Sequence, residues 1–371
     1  MEYNLLRKAT HWKGAFLFVK VVFVIAAIFI FGLLIAIHEL GHFLAGRLCG
    51  VRVNEFSIGM GSCIWHKETE ETQYSIRLLP IGGFCALDGQ DEDTGDERCL
   101  ARQGFWKKFI ILAGGSFMNL LTGIVIIAIL FAGANSFYVD QVSGFSEGFP
   151  LERENGLMVG DVFYRIDGWR TYIRGDAAMF LSFNDGQGID IEVIRNGELI
   201  VLEDLPLYRG TYGERQNSFG MQVGAKQVPT DFLTHLRFIG YQTLYFVQQM
   251  RLSIIQIIRG NVSVKELSGP VGIMSIMTEV GTSSLSASGA ARNIAFLAAL
   301  IAINLAVMNM LPIPALDGGR IFFLLVDVVA LLLFKHKVPE KYQAAVNAVG
   351  FVLLMGVMAL VTLQDVIKLI S

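Results

Sequence analysis

Ile35-Ala36-Ile37-His38-Glu39-Leu40-Gly41-His42 closes a long apolar run and decides how the rest of the chain is read. The pattern H-E-x-x-H on a helix places two imidazoles one above the other on one face. At that spacing both can ligate one zinc ion, with the intervening glutamate as general base. From Gly14 to Ile37 almost every residue is apolar. About 24 such residues, rising about 1.5 Å each, cross a hydrocarbon core of roughly 30 Å. Three polar side chains so near that core need a reason to be there. The bland reading is a polar patch at a helix end.

The composition fits this reading. Of 371 residues, 53% are apolar and 17% charged, with a mean hydropathy of +0.52. A soluble chain would carry nearer a quarter charged residues. The excess falls in blocks, so the expected class is a polytopic α-helical membrane protein with soluble insertions. A net charge of −3 indicates no nucleic-acid partner. Cys49, Cys63, Cys85 and Cys99 lie in one stretch without a CxxC pair and read as reduced thiols. The first apolar run is too long for a signal-peptide core.

The order along the chain follows. Residues 1–46 are a short basic head and the first transmembrane helix. Residues 47–104 are a polar loop. In it, Phe56-Ser57-Ile58-Gly59-Met60-Gly61 and Tyr74-Ser75-Ile76-Arg77 read as strands of membrane-associated β-hairpins, with the glycines marking a turn or close approach. Asp88 to Glu97 reads as a solvated acidic loop. Residues 105–135 are the second span, opened by Phe105-Trp106-Lys107-Lys108 at an interface. Asn119 within it serves either as an interhelical hydrogen-bond partner or in a site. Residues 136–225 are soluble and β-rich, with an Asn196-Gly197 hairpin turn. Residues 226–287 are amphipathic interfacial helices and a linker. Residues 288–334 hold the third span, the break Pro312-Ile313-Pro314, Asp317 and a short helix. Residues 335–371 are a basic loop and the fourth span.

Four spans bring Asp317 to the membrane face that carries His38 and His42. That face also collects Arg47, Arg52, Arg102, Lys107, Lys108, Lys335, Lys337 and Lys341, so the positive-inside bias makes it cytoplasmic. The head residues Arg7, Lys8 and Lys13 point the other way. A catalytic zinc takes three protein ligands. Asp317 is the candidate third, and it reads equally as an N-cap for a helix starting at Ile321.

The pairing of His38-Glu39-Leu40-Gly41-His42 with Asn304–Gly318 resembles the site-2 protease family of intramembrane zinc metalloproteases, most closely its RseP-like bacterial branch. The two strand stretches, the Phe105–Asn119 segment and Ser268-Gly269-Pro270-Val271-Gly272-Ile273 carry the likeness further. The resemblance implies zinc held by His38, His42 and Asp317, with Glu39 as the base that activates water. It implies that Asn309, and more weakly Asn304, hold substrate near the metal. The β-region at Phe56, Gly59, Gly61 and Tyr74 would take up substrate as an added strand. Residues 136–225 would be one PDZ domain, open to a peptide ligand, where many relatives have two. Ala113-Gly114-Gly115-Ser116 lacks a proline common in that family. The implied substrates are single-pass membrane proteins already shortened by another protease, such as anti-sigma factors or remnant signal peptides. The implied location is the bacterial inner membrane, with the site near the cytoplasmic face and the PDZ domain opposite. The rival readings are a non-catalytic PDZ scaffold and, more weakly, a transporter.

Overall fold

A computed structural model describes residues 2–90, 94–183, 188–213, 215–263, 268–336 and 338–370. Part of the acidic run between Asp88 and Glu97, and Lys337 of the basic loop, lie outside the described residues. The chain divides into two compact units, residues 1–126 with 252–371, and residues 127–251.

The first unit is mainly helical. Helix α1 runs Glu2–Leu48 without a break, so the basic head is helical and the HELGH motif is interior to the helix. Its apolar periodicity continues through Leu40, Phe43 and Leu44, and Gly50 in a left-handed turn ends it (φ 76°). Strands β1 (Val53–Glu68) and β2 (Gln73–Leu87) form a single long antiparallel hairpin. Gly59 and Gly61 do not turn the chain. Both have positive φ within β1 and mark register shifts, and at Gly59 the Leu79 and Arg77 carbonyls leave no room for a side chain. Arg77 ties the two strands through Glu55 (2.7 Å), Ser57 (3.1 Å) and the Gly61 carbonyl (2.9 Å). The hairpin base is sealed to α1 by Ala45, Val51, Val53, Leu87, Leu100 and Ile111.

Helix α2 (Phe105–Phe131) crosses α1 where Gly41 and Gly114 bring the two backbones into contact. Beyond the second unit come α5 (Pro270–Ser283), α6 (Ala287–Asn309), α7 (Asp317–Phe334) and α8 (Glu340–Ile370), numbered after α3 and α4 below. Helix α5 packs on α1 and α6 around Ala27, Leu34, Met277, Ile301 and Ala302. Its first turn is held from another helix. The buried Asp365 of α8 accepts the Gly269 and Gly272 amides through Oδ2, each at 2.8 Å.

Among the described residues, four helices are long and apolar enough to cross a membrane: Val21–Leu48, Phe105–Phe131, Ala287–Asn309 and Lys341–Lys368. They leave Phe29, Ile129, Val352 and Leu353 more than half exposed. Such a surface is stable only against lipid. The protein is therefore a membrane protein.

The second unit holds a mixed-length antiparallel sheet ordered β10-β3-β4-β6-β7. Its strands are β3 (Phe137–Phe145), β4 (Val162–Ile166), β6 (Ile189–Arg195), β7 (Glu198–Leu205) and β10 (Met221–Val228). The short β5 (Trp169–Arg170) pairs with β4, and β8 (Gly210–Tyr212) with β9 (Arg215–Ser218). Ile166, Ile189, Ile191 and Val193 alternate inward and are almost fully buried. Asn196 takes positive φ in the turn joining β6 to β7. Arg195 clamps the Gly156–Asp161 turn, meeting both Asp161 oxygens at 2.8 Å and the Gly156 carbonyl at 2.6 Å. A short helix, α3 (Asp176–Ser182), follows β5, and the long α4 (Phe232–Ile258) leads out of the unit without being among the candidate spans.

Candidate metal centre

The helical pitch puts His38 and His42 on one face of α1, with ring centroids 4.8 Å apart. Their Nε2 atoms are 3.2 Å apart. Asp317 Oδ2 lies 3.1 Å from His38 Nε2 and 3.2 Å from His42 Nε2. An ion bound tetrahedrally at about 2.0 Å separates its ligand atoms by about 3.3 Å, so this triangle has the size zinc requires. All three groups are largely buried. Asp317 Oδ2 is shut away from solvent yet makes no well-formed hydrogen bond. Three acceptor-bearing groups forced so close repel unless a cation stands among them.

Asp317 reaches this position because the preceding chain is broken. Residues 310–316 turn sharply, with Ala315 in the left-handed region (φ 75°). Gly318 and Gly319 lie against the Met310, Leu311 and Ile313 backbone, where a side chain would not fit. The cap of α7 is Leu316, and Asp317 is already its first helical residue. The helix thus begins earlier than Ile321, and the carboxylate points to the histidines rather than to an N-terminal amide.

Helix α2 supplies the floor. A Cβ on Gly115 would stand 2.5 Å from His42 Nε2 and 2.6 Å from His38 Cε1, so only glycine leaves the ligand space open. His42 Nδ1 lies 2.8 Å from the Ile111 carbonyl. Asn119, 1% exposed, has Nδ2 at 3.3 Å from His38 Nδ1. Asn309, the last residue of α6, has Nδ2 at 3.5 Å from the same atom. Asn304 sits further up α6 with its Oδ1 buried and without a partner.

Strand β2 forms the remaining wall. The Cys85 backbone hydrogen-bonds the Glu39 carboxyl, and Gly83 passes the Glu39 side chain closely. Burial pushes the Cys85 thiol up to about 12, with the nearby Glu39 charge adding to the shift. It stays a neutral thiol, consistent with a packing role. Phe56 and Tyr74, paired across the hairpin, both meet the Phe43 ring of α1 at 5.3 and 6.0 Å. They anchor the hairpin on the motif helix. Gly59 and Gly61 lie farther out, among the exposed Ile58, Met60, Leu78 and Leu79.

Sequence reasoning missed Gly83, Cys85 and Gly115 as site residues. The first two lie beyond the Tyr74–Arg77 stretch, on a strand that continues to Leu87. Gly115 stands in Ala113-Gly114-Gly115-Ser116, where a glycine for helix packing and one beside two histidines look alike in sequence.

Comparison with known proteins agrees with this geometry. The model of peptidase family M50 matches residues 26–357. Relatives bearing zinc-metalloprotease names cover nearly the full length. One from Clostridium perfringens is 33% identical over 350 residues, covering 93% of this chain and 98% of the relative. One from Fusobacterium nucleatum is 32% identical over 357 residues, covering 93% and 98%. One from Campylobacter jejuni is 29% identical over 363 residues, covering 94% of each. With this ligand triangle and the family matched along almost all of the chain, the protein belongs to peptidase family M50, the site-2 protease type, as a zinc metalloendopeptidase.

Proposed function

We propose that His38, His42 and Asp317 hold the zinc and that Glu39 is the general base of an intramembrane endopeptidase. The observation carrying this is the ligand triangle set beside Glu39 inside a helix of membrane-spanning length. Zinc supplies Lewis acidity, lowering the pKa of water and polarising a carbonyl. Glu39 takes the proton from the attacking water and delivers it toward the leaving amine. Its contact with β2 fixes the carboxylate beside the metal ligands. Asn309, partly exposed at the end of α6, holds the substrate backbone, with Asn304 behind it. A helical peptide bond is shielded by its own hydrogen bonds, so the substrate must unwind. The hairpin offers an edge on which an unwound segment can pair, with Phe56, Gly59, Gly61 and Tyr74 shaping that surface.

The substrates are transmembrane segments of single-pass proteins, such as anti-sigma factors or remnant signal peptides, in regulated intramembrane proteolysis. Residues 136–225 act as a PDZ domain with a peptide ligand; the antiparallel sheet with the short helix α3 supports that reading. Basic residues near the span ends favour the bacterial inner membrane with the site near the cytoplasmic face. The segment between α2 and α6 then lies on the opposite side.

The test is co-expression of candidate single-pass proteins with wild type, Glu39→Gln, His38→Ala and Asp317→Ala, together with metal analysis of each purified protein. Glu39→Gln keeps zinc and loses cleavage by about 10²-fold or more. The two ligand variants lose both. Normal turnover by Glu39→Gln would sink the mechanism. Indifference to Glu39 with no stoichiometric zinc would favour the scaffold reading.

A further inference from the structure

From the packing of α2 against the motif helix we infer that Asn119 is a positioning residue that fixes the proton of His38 on Nδ1 and so keeps Nε2 available to the metal. The inference rests on the zinc-site reading above and deepens it.

A neutral imidazole ligates through the nitrogen that has no proton, and the partner of the other nitrogen decides which one that is. The two histidines face the same helix with their outer nitrogens. His42 Nδ1 meets the Ile111 carbonyl at 2.8 Å. A carbonyl only accepts, so this ring carries its proton on Nδ1 and leaves Nε2 bare. Among the described residues, the groups that meet His38 Nδ1 are side-chain amides and not a carbonyl of the backbone. Its Nδ1 faces the amide of Asn119, 3.3 Å away and two helical turns further along α2 than Ile111. An amide offers a donor on one side and an acceptor on the other, and a half-turn exchanges them with little change of shape. With Nδ2 toward the ring, His38 is held in the tautomer whose Nε2 carries the proton. With Oδ1 toward the ring, the proton sits on Nδ1 and Nε2 faces His42 and Asp317 as a ligand. In the structure Nδ2 faces the ring and Oδ1 is buried without a partner among the described residues, so the half-turn is what would pair the oxygen. Its one strong use is to receive that proton.

Asn309 also approaches His38 Nδ1, at 3.5 Å, but it is more exposed than Asn119 and ends its helix. The division of labour follows from burial. The shielded amide of Asn119 orients the ring, which leaves Asn309 open to the substrate. A polar side chain 1% exposed in an apolar helix is costly unless it is paired, and ligand positioning supplies the pairing.

The experiment measures zinc retention by the full-length protein in detergent against a graded chelator series, for wild type, Asn119→Ala, Asn119→Asp and His38→Ala. Asn119→Ala should release zinc at 10- to 100-fold lower chelator strength, roughly the range for loss of such a supporting partner. Asn119→Asp, whose carboxylate is a pure acceptor, should retain zinc at least as well as wild type. If Asn119 served only helix packing, the ranking would reverse, because a carboxylate buried between spans would do the most harm. Should Asn119→Ala fail to fold, Asn119→Asp alone decides, and weaker zinc retention than wild type overturns the inference. Wild-type retention by Asn119→Ala also overturns it. Loss of zinc in His38→Ala beside an unaffected Asn119→Ala would reject this role while leaving the zinc site standing. Unaffected zinc in His38→Ala would reject the site reading itself.

Discussion

Gly115 shows how one absent side chain conditions the whole centre. A methyl group there would occupy the space between the two imidazoles. Gly115→Ala should therefore reduce zinc content severalfold or more while the helices remain formed, as metal analysis beside circular dichroism would show. Full zinc occupancy in this variant would mean that α2 shifts easily and is not the floor of the site. At this scale the sequence is informative about which side chains share a face and silent about the space between helices. The juxtaposition of His38 and His42 was legible because their spacing is a property of one helix. Asp317 was legible only as one of two alternatives, since capping and ligation use the same residue type next to the same glycines. Gly115 was illegible: a glycine required by a neighbouring helix and one required by a ligand cluster look alike until the helices are placed.

At the scale of elements, the hairpin and the β-rich unit differ in how local their determinants are. The Asn196-Gly197 turn needs only its own residues. The β1–β2 pairing depends on bulges at Gly59 and on Arg77 reaching back across the hairpin, which no alternation pattern encodes. Helix α3 has its own electrostatic signature. Asp140 accepts the Gly175 and Ala177 amides, and Asp176 accepts those of Tyr172 and Ile173. Burial raises both carboxyls, Asp176 to about 6, and the amide bonds only partly offset it. An unfolded aspartate titrates near its ordinary value of about 3.9. Between that value and about 6 the folded unit binds a proton that the unfolded chain has released. Its stability therefore rises as pH falls from 7 toward 4, and above about 6 the burial cost is present in full. Amide exchange within residues 127–251, corrected for intrinsic rates, should show protection roughly tenfold greater at pH 5 than at pH 7.5. Asp176→Asn should flatten most of that slope. A slope of opposite sign would refute the assignment.

For the whole molecule, composition and hydrophobic block length announced four spans, and among the described residues the helices with the required length and apolarity are four. The span limits differ because helical hydrogen bonding continues past the apolar run, as at the HELGH motif and the basic head. The proposed orientation makes a direct prediction. Trypsin added to right-side-out membrane vesicles should cut within residues 136–225, where Arg165 is exposed, and should spare the hairpin; inside-out vesicles should give the converse. Cleavage of the hairpin from the outside would reverse the assigned faces. A last consequence concerns time. The carboxylate that holds the first turn of α5 belongs to Asp365, and α5 packs on the helix bearing both histidines. During synthesis the histidines leave the ribosome first, Asp317 follows roughly three-quarters of the chain later, and Asp365 follows that. A nascent chain paused before Asp317 lacks a candidate zinc ligand, and one paused before Asp365 lacks the carboxylate that holds the first turn of α5.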